Sequence, residues 1–282
     1  MQKIDAHVHF WNYDEVKDSW ITEEMQVIRR NFLPEDLAPL LKQNGFDGCV
    51  AVQADQSEAE NDFLLGLAEL HPFIKAVVGW VDLQAENIEA TLEFYCRHEK
   101  LKGFRHILQG ETDKALMLTP AFKRGIKALE KFNYTYDVLI RKEQLPYAAT
   151  LVKNFPEVRF VLDHLAKPAI KDAGIHEWAS DIRELALNPN VCCKVSGMVT
   201  EASWSEWKQD DFVPYLDVVF EAFGISRLMY GSDWPVCTLS CGYSETAGIV
   251  SSYLHPFSEN EKALFWGGNA YQFYNIGAPR YL

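Results

Sequence analysis

Two histidines stand two residues apart near the amino terminus, in Ile4-Asp5-Ala6-His7-Val8-His9-Phe10. The segment reads as a β-strand, and on a strand residues i and i+2 point to the same face. His7 and His9 therefore converge, while Ile4, Ala6, Val8 and Phe10 are expected on the opposite, apolar side. Paired imidazoles can hold a divalent metal or steer a polar substrate through a donor and an acceptor. Such a pair also occurs as a hydrogen-bonded core feature, so its partners decide what it does. The chief partner is Asp233, in Met229-Tyr230-Gly231-Ser232-Asp233-Trp234-Pro235. An aspartate before Trp-Pro can simply form a turn; placed beside the first strand, it could bind a metal or take a proton from water.

Other side chains could join them. His164, in Val161-Leu162-Asp163-His164-Leu165-Ala166-Lys167-Pro168, can donate to a carbonyl oxygen of a bound ligand. Asp163 has the opposite parity and is expected only to orient a neighbour, and Lys167 is either a solvated loop lysine or an anion contact. Arg105, in Gly103-Phe104-Arg105-His106, sits in an otherwise apolar run and needs a carboxylate or a ligand oxygen. Parity alone does not say whether Arg105 or His106 faces inward, and Lys194 poses the same question. Trp11, Trp80 and Trp234 lie near strand ends, where aromatic faces suit sugar rings as well as ordinary packing. The chain has no G-x-S-x-G elbow, no Walker loop and no C-x-x-C pair.

The elements that must position these residues alternate regularly. Apolar runs rich in β-branched and aromatic residues cover Lys3–Phe10, Phe46–Ala54, Ile74–Leu83 and Leu101–Leu108. Four more follow at Tyr134–Ile140, Arg159–Leu165, Val191–Ser196 and Arg227–Ser232. Helical stretches open at Pro34 and Ser57, then run Asn87–Glu99, Pro120–Phe132, Glu143–Phe155, His176–Leu187 and Phe212–Phe223. A final pair covers Ser244–Leu254 and Ser258–Tyr274, the latter with a Ser258/Glu261 capping box.

Eight strand–helix repeats without a glycine-rich dinucleotide turn predict a single α/β domain over residues 1–282, a (β/α)8 TIM barrel rather than a doubly wound sheet. Active sites of such barrels lie at the carboxyl ends of the strands. His7, His9, Arg105, His106, His164 and Asp233 all fall there, and closure of the barrel sets Asp233 beside the histidine pair.

The composition narrows the partners. With 282 residues, 48% of them hydrophobic, the chain can bury a full core. A formal net charge of -13 repels phosphate backbones and anionic lipid, so no nucleic-acid or membrane partner is expected. No basic-then-apolar leader and no membrane-length span are visible, and the six cysteines read as reduced thiols; the expected address is cytoplasmic. The oligomeric state stays open, a homo-oligomer included.

These blocks, together with Val78-Gly79-Trp80-Val81-Asp82-Leu83 and Lys194-Val195-Ser196-Gly197, resemble the amidohydrolase superfamily over nearly the whole chain. Within it the resemblance is to the amidohydrolase 2 group, which includes sugar-acid lactonases of the L-fucono- and L-rhamnono-lactone type. It implies hydrolysis of a lactone ring to a hydroxy acid, with Asp233 as general base and His164 and Arg105, joined by His7 or His9, about the carbonyl. Arg105, His106, Lys167, Trp11, Trp80 and Trp234 are the implied substrate contacts. Superfamily members commonly use a carboxylated fourth-strand lysine and a fifth-strand histidine. This chain offers Arg105 and His106, then Tyr136 and Asp137, at those places. A two-metal site therefore lacks its bridge; no cofactor is required, and one divalent ion such as zinc on His7, His9 and Asp233 is the remaining option. The alternatives are a mononuclear metal-dependent amidohydrolase or decarboxylase, and a non-catalytic barrel that binds a sugar acid.

Overall fold

Each apolar run becomes a strand of one parallel sheet in the computed structural model, which describes residues 2–278. The strands are β1 (Ile4–Val8), β2 (Gly48–Val52), β3 (Ile74–Gly79), β4 (Leu101–His106), β5 (Thr135–Val138), β6 (Phe160–Leu162), β7 (Val191–Val195) and β8 (Leu228–Tyr230). They pair in sequence order, all in parallel. A parallel bridge between Val8 and Trp234 closes the ring. Its two hydrogen bonds, His9 N to Trp234 O at 2.7 Å and Asp233 N to His7 O at 2.9 Å, run through candidate site residues themselves. The (β/α)8 barrel is thus the observed fold.

The helices are α1 (Pro34–Gln43), α2 (Glu58–Leu70), α3 (Ile88–Tyr95), α4 (Pro120–Lys131), α5 (Leu145–Asn154) and α6 (His176–Ala186). The short α7 (Met198–Glu201) precedes α8 (Gln209–Phe223), α9 (Tyr243–Tyr253), α10 (Glu259–Ala263) and α11 (Asn269–Phe273). Their cores follow helical spacing: Phe122, Ile126 and Leu129 bury one face of α4, and Trp178, Ile182 and Leu185 one face of α6. Among the described residues no helix is long and apolar enough to cross a membrane.

Two expectations need correction. The helix expected over Ser258–Tyr274 is present, capped at Ser258, but is not uniformly α: it carries a π-helical turn, Leu264–Gly268. There Gly267 lies so close to the start of β1 that a Cβ on it would collide with the Gln2 carbonyl oxygen. The extra residue in the turn re-aims α11 across the amino end of the barrel, where Phe273 and Tyr274 join the interior cluster.

The second correction concerns β1. Ile4 and Ala6 do not share a side with Val8 and Phe10. They pack with Val50, Val52, Ala76, Val78, Val161 and Met229 inside the barrel, while Val8 and Phe10 belong to the outer core against the helices. The β1–β2 register shifts by one residue between Asp5 and Val8. This bulge switches the strand's parity, so that Ala6 and His7 both reach the interior. Asp5 braces it: Oδ1 accepts from His7 N (3.1 Å) and Ser232 N (2.9 Å), and Oδ2 accepts from the Tyr243 hydroxyl (2.8 Å). Burial pushes the Asp5 carboxyl up to about 6 against the lowering effect of these three hydrogen bonds.

Candidate active site

Beyond the bulge, His7 and His9 point together into the carboxyl-terminal mouth of the barrel. Their rings meet edge to face, with Nε2 atoms 3.2 Å apart. His9 Nδ1 lies 2.8 Å from the Val52 carbonyl oxygen, which can only accept. Nδ1 therefore carries the proton, and in the neutral ring Nε2 presents a lone pair to the mouth. His7 is deeper, and both its nitrogens face cations: Nδ1 meets Lys194 Nζ at 3.1 Å, and Nε2 meets Arg105 Nη1 at 3.2 Å. Burial, reinforced by Lys194, holds the His7 pKa well below its ordinary value, so the ring is neutral.

Asp233 follows β8 in a left-handed conformation, φ 59°. Its Oδ1 lies 3.4 Å from His9 Nε2 and 3.8 Å from both His7 Nε2 and His164 Nε2. Burial opposes charge on this carboxyl, but His164, the His9 contact and His7 outweigh it and hold the pKa below the usual carboxylate range.

His164 lies just past the end of β6, in a turn of unusual backbone. His164, Leu165, Ala166 and Lys167 are four successive non-glycine residues at φ 52°, 54°, 58° and 53°. Left-handed residues cost roughly 1–2 kcal/mol each, so the surroundings must fix this turn. The Trp178 indole donates to Leu165 O at 2.7 Å, and Lys167 N to His164 O at 2.7 Å. On the ring itself, Nδ1 meets Ser196 Oγ at 2.8 Å. Gly197, at φ 63°, makes the room: a Cβ there would sit 2.7 Å from His164 Nδ1. Burial lowers the His164 pKa to about 4, with Asp233 only partly offsetting it.

Arg105, not His106, faces inward. Its Nε donates to Gln53 Oε1 at 2.8 Å, Nη2 to the Gln53 carbonyl at 2.5 Å and Nη1 to Asp163 Oδ2 at 3.1 Å. His106 instead meets Glu111 at 2.8 Å and packs edge-on against Phe122 of α4, so the structure does not bring it to the site. Asp163, expected only to orient one neighbour, is a hub. It also lies 3.0 Å from Lys194 Nζ and 3.4 Å from His7 Nδ1. Burial alone would raise its pKa; Lys194, His7 and Arg105 bring it well below the ordinary value. Lys194 donates further to Asp137 at 2.5 Å, whose carboxylate also accepts from the Tyr274 hydroxyl of the segment after α11 at 2.8 Å.

Above this network opens a pocket of about 290 Å³. His9, Arg105, His164 and Asp233 give it a polar floor, and Trp11, Trp20, Ile107 and Leu139 give it apolar walls. Lys167 reaches its edge. Trp20, 43% exposed and edge-on to Trp11, carried no signal in the sequence beyond its proximity to the first strand. Two of the tryptophans expected at the site are elsewhere. Trp234 is buried edge-on against Phe10 and Phe32, and Trp80, whose backbone N–H and carbonyl are bound by the Asn61 amide, does not line the pocket.

The donor set suits one divalent cation. Zinc bonds of about 2.0–2.1 Å in a tetrahedral shell put ligand atoms about 3.3–3.4 Å apart. The His7–His9 and His9–Asp233 separations are 3.2 and 3.4 Å, with His7–Asp233 wider at 3.8 Å. His9 Nε2 and Asp233 Oδ1, 3.4 Å apart, both turn a potential ligand atom toward the same point. His7, His164 and Asp233 form an overlapping candidate set, their ligand atoms within 4.8 Å of one another.

Comparison with known proteins agrees with this architecture. The family model described as Amidohydrolase matches residues 4–276. An L-fucono-1,5-lactonase of Burkholderia multivorans is 39% identical, over 98% of this chain and 97% of that protein. An L-rhamnono-gamma-lactonase of Scheffersomyces stipitis is 24% identical over 75% of this chain and 66% of its own. Among solved structures, a Burkholderia multivorans amidohydrolase with bound zinc superposes with a TM-score of 0.95 at 39% identity, covering 98% of this chain and 100% of that one.

Proposed function

The chain belongs to the amidohydrolase family, and we propose that it hydrolyses the ring ester of a sugar-derived lactone, of the L-fucono- or L-rhamnono-lactone type, to the open hydroxy acid. The observation that carries this reading is Asp233: an ionised, buried carboxylate flanked by His9 and His164 on the floor of a pocket sized for one small ring.

The chemistry follows from those positions. A water held by Asp233 Oδ1 gives up a proton to the carboxylate while its oxygen bonds to the lactone carbonyl carbon. The carbonyl electrons move onto oxygen, where the Arg105 guanidinium and the His164 ring stabilise the developing charge. Collapse breaks the bond to the ring oxygen, and the departing alkoxide takes the proton back from Asp233. Gln53 and Asp163 keep the guanidinium fixed for this task, so little reorganisation is needed during reaction. Trp20, backed by the buried Trp11, offers apolar surface to the C–H groups of the sugar ring.

His7, His9 and Asp233 are the residues that would hold a divalent ion such as zinc, which would add Lewis-acid polarisation of the carbonyl. A lactone is an activated ester, and its hydrolysis does not demand that assistance. Acid release from a panel of aldonolactones, followed with a pH indicator with and without chelator, tests the reading. Turnover of at least one sugar lactone is expected; turnover only of amides or aromatic acids, lost with the metal, would replace lactonase with a metal-dependent activity.

A further inference from the structure

A second cleft, of about 620 Å³, adjoins the pocket, and the two share Lys167. It is built by the loops after β5, β6 and β7, with Glu24 closing one side. Its walls are tied together. Lys171 N donates to Glu201 O at 3.0 Å, linking the β6 and β7 loops, and the Trp204 indole donates to Thr200 O at 3.0 Å. The Trp204 carbonyl accepts from Ser240 Oγ at 3.0 Å.

The chemistry of the lining selects the ligand. Arg141, Lys142, Lys167 and Lys171 bring four cations, and Glu24, Glu143, Asp172 and Glu201 bring four carboxylates. Lys167 and Glu201 pair at 3.2 Å on the border with the pocket, while Lys142 and Glu143 stand 4.0 Å apart. An anion would meet as many carboxylates as cations, and a cation the reverse. A neutral polyol can donate to the carboxylates and accept from the cations, and Thr200, Ser203 and Trp204 add hydroxyls and an aromatic face. The pocket, at about 290 Å³, suits a single small ring, and the route out of it past Lys167 leads into this cleft.

We propose that the cleft is a subsite for a glycosyl unit carried by the lactone, so that the substrate class includes lactones of disaccharide-derived aldonic acids. This rests on the lactonase reading above. The extra unit is bound remotely from the reacting carbon, and its binding energy is available to orient the ring ester.

The test compares kcat/KM for a monosaccharide aldono-1,5-lactone with a set of disaccharide-derived lactones differing in linkage, on the parent enzyme and on Arg141→Ala and Lys171→Ala. Both side chains are exposed and hydrogen-bond to no other described side chain, so the fold should tolerate their loss. At least one linkage should be processed about tenfold better than the monosaccharide lactone, the worth of one or two charge-assisted hydrogen bonds. The variants should lose that advantage and leave the monosaccharide lactone unchanged. Glycosylated lactones that are all equal to or slower than the monosaccharide, or variants that lower both substrates equally, overturn the subsite while leaving the lactonase reading intact. Turnover of neither substrate overturns both.

Discussion

Ser196 Oγ lies 2.8 Å from His164 Nδ1 and 3.5 Å from the Lys194 carbonyl, and its single proton can go to only one of them, so the hydroxyl couples to the tautomer of His164. When Ser196 donates to Nδ1, Nε2 bears the proton and can donate to a carbonyl oxygen in the pocket. Ser196→Ala leaves Nδ1 buried without that partner and frees the ring to change tautomer. The expected result is a fall of about tenfold in kcat with a smaller change in KM, from the loss of one buried hydrogen bond. Steady-state kinetics on the best lactone decide it; a variant with the parent kcat would show that Ser196 does not set the tautomer.

Asp233→Asn separates the carboxylate's chemistry from its structural role. The amide keeps the size of the side chain, and asparagine tolerates the left-handed φ of 59°. The closing hydrogen bond from Asp233 N to His7 O is a backbone contact and survives. Losing a general base typically costs about 10²–10⁴ in rate, and that loss is expected in kcat with far-ultraviolet circular dichroism unchanged. Lactone hydrolysis at the parent rate would remove Asp233 from the mechanism.

The barrel was legible because parallel strands covered on both faces give near-continuous apolar runs, and the carboxyl-end rule then located His7, His9, Arg105, His164 and Asp233. Parity was the weak instrument. It misjudged Ile4 and Ala6 because a bulge changes the face of β1 between Asp5 and Val8, and nothing in the residue types marks that bulge. It also undervalued Asp163. That residue follows the last paired position of β6, where the chain enters a left-handed turn and strand alternation no longer applies. Trp234 and Trp80 illustrate a different limit. Their sequence neighbours placed them at strand ends, but whether an indole lines a pocket or fills the gap between layers depends on residues distant in sequence, as Phe32 does for Trp234.

The pH dependence should be set on its acid side by His164. Burial lowers its pKa to about 4, and Asp233 stays ionised below the usual carboxylate range. A protonated His164 would stabilise the Asp233 carboxylate and weaken it as a base, so for chelator-treated enzyme kcat/KM should hold from neutral pH down to about 5 and fall as pH approaches about 4. Stability carries the same signature. An unfolded histidine takes up its proton near 6.5, the folded ring only near 4, so this contribution is intact above 6.5 and is lost as pH falls between the two. An acid limb centred near 6.5 would mean that the ring is solvated rather than buried.

Lys194 is the fully buried cation on which two carboxylates depend. It meets Asp137 at 2.5 Å and Asp163 at 3.0 Å, and all three side chains are inaccessible to solvent. Lys194→Met conserves much of the volume and removes the charge, leaving Asp163 with Arg105 and His7 and Asp137 with only the Tyr274 hydroxyl. Breaking a buried pair in this way costs about 3–5 kcal/mol. The sign with pH is fixed by Asp137, whose pKa burial already raises to about 6 with Lys194 present. Without the lysine it rises further, and a carboxyl with a raised folded pKa contributes stability at low pH that is lost as pH rises through that value. The variant should therefore be destabilised less at pH 5 than at pH 8 relative to the parent, measured as the difference in Tm at each pH. An equal Tm difference at both would mean that Asp137 does not take up a proton when its partner is removed.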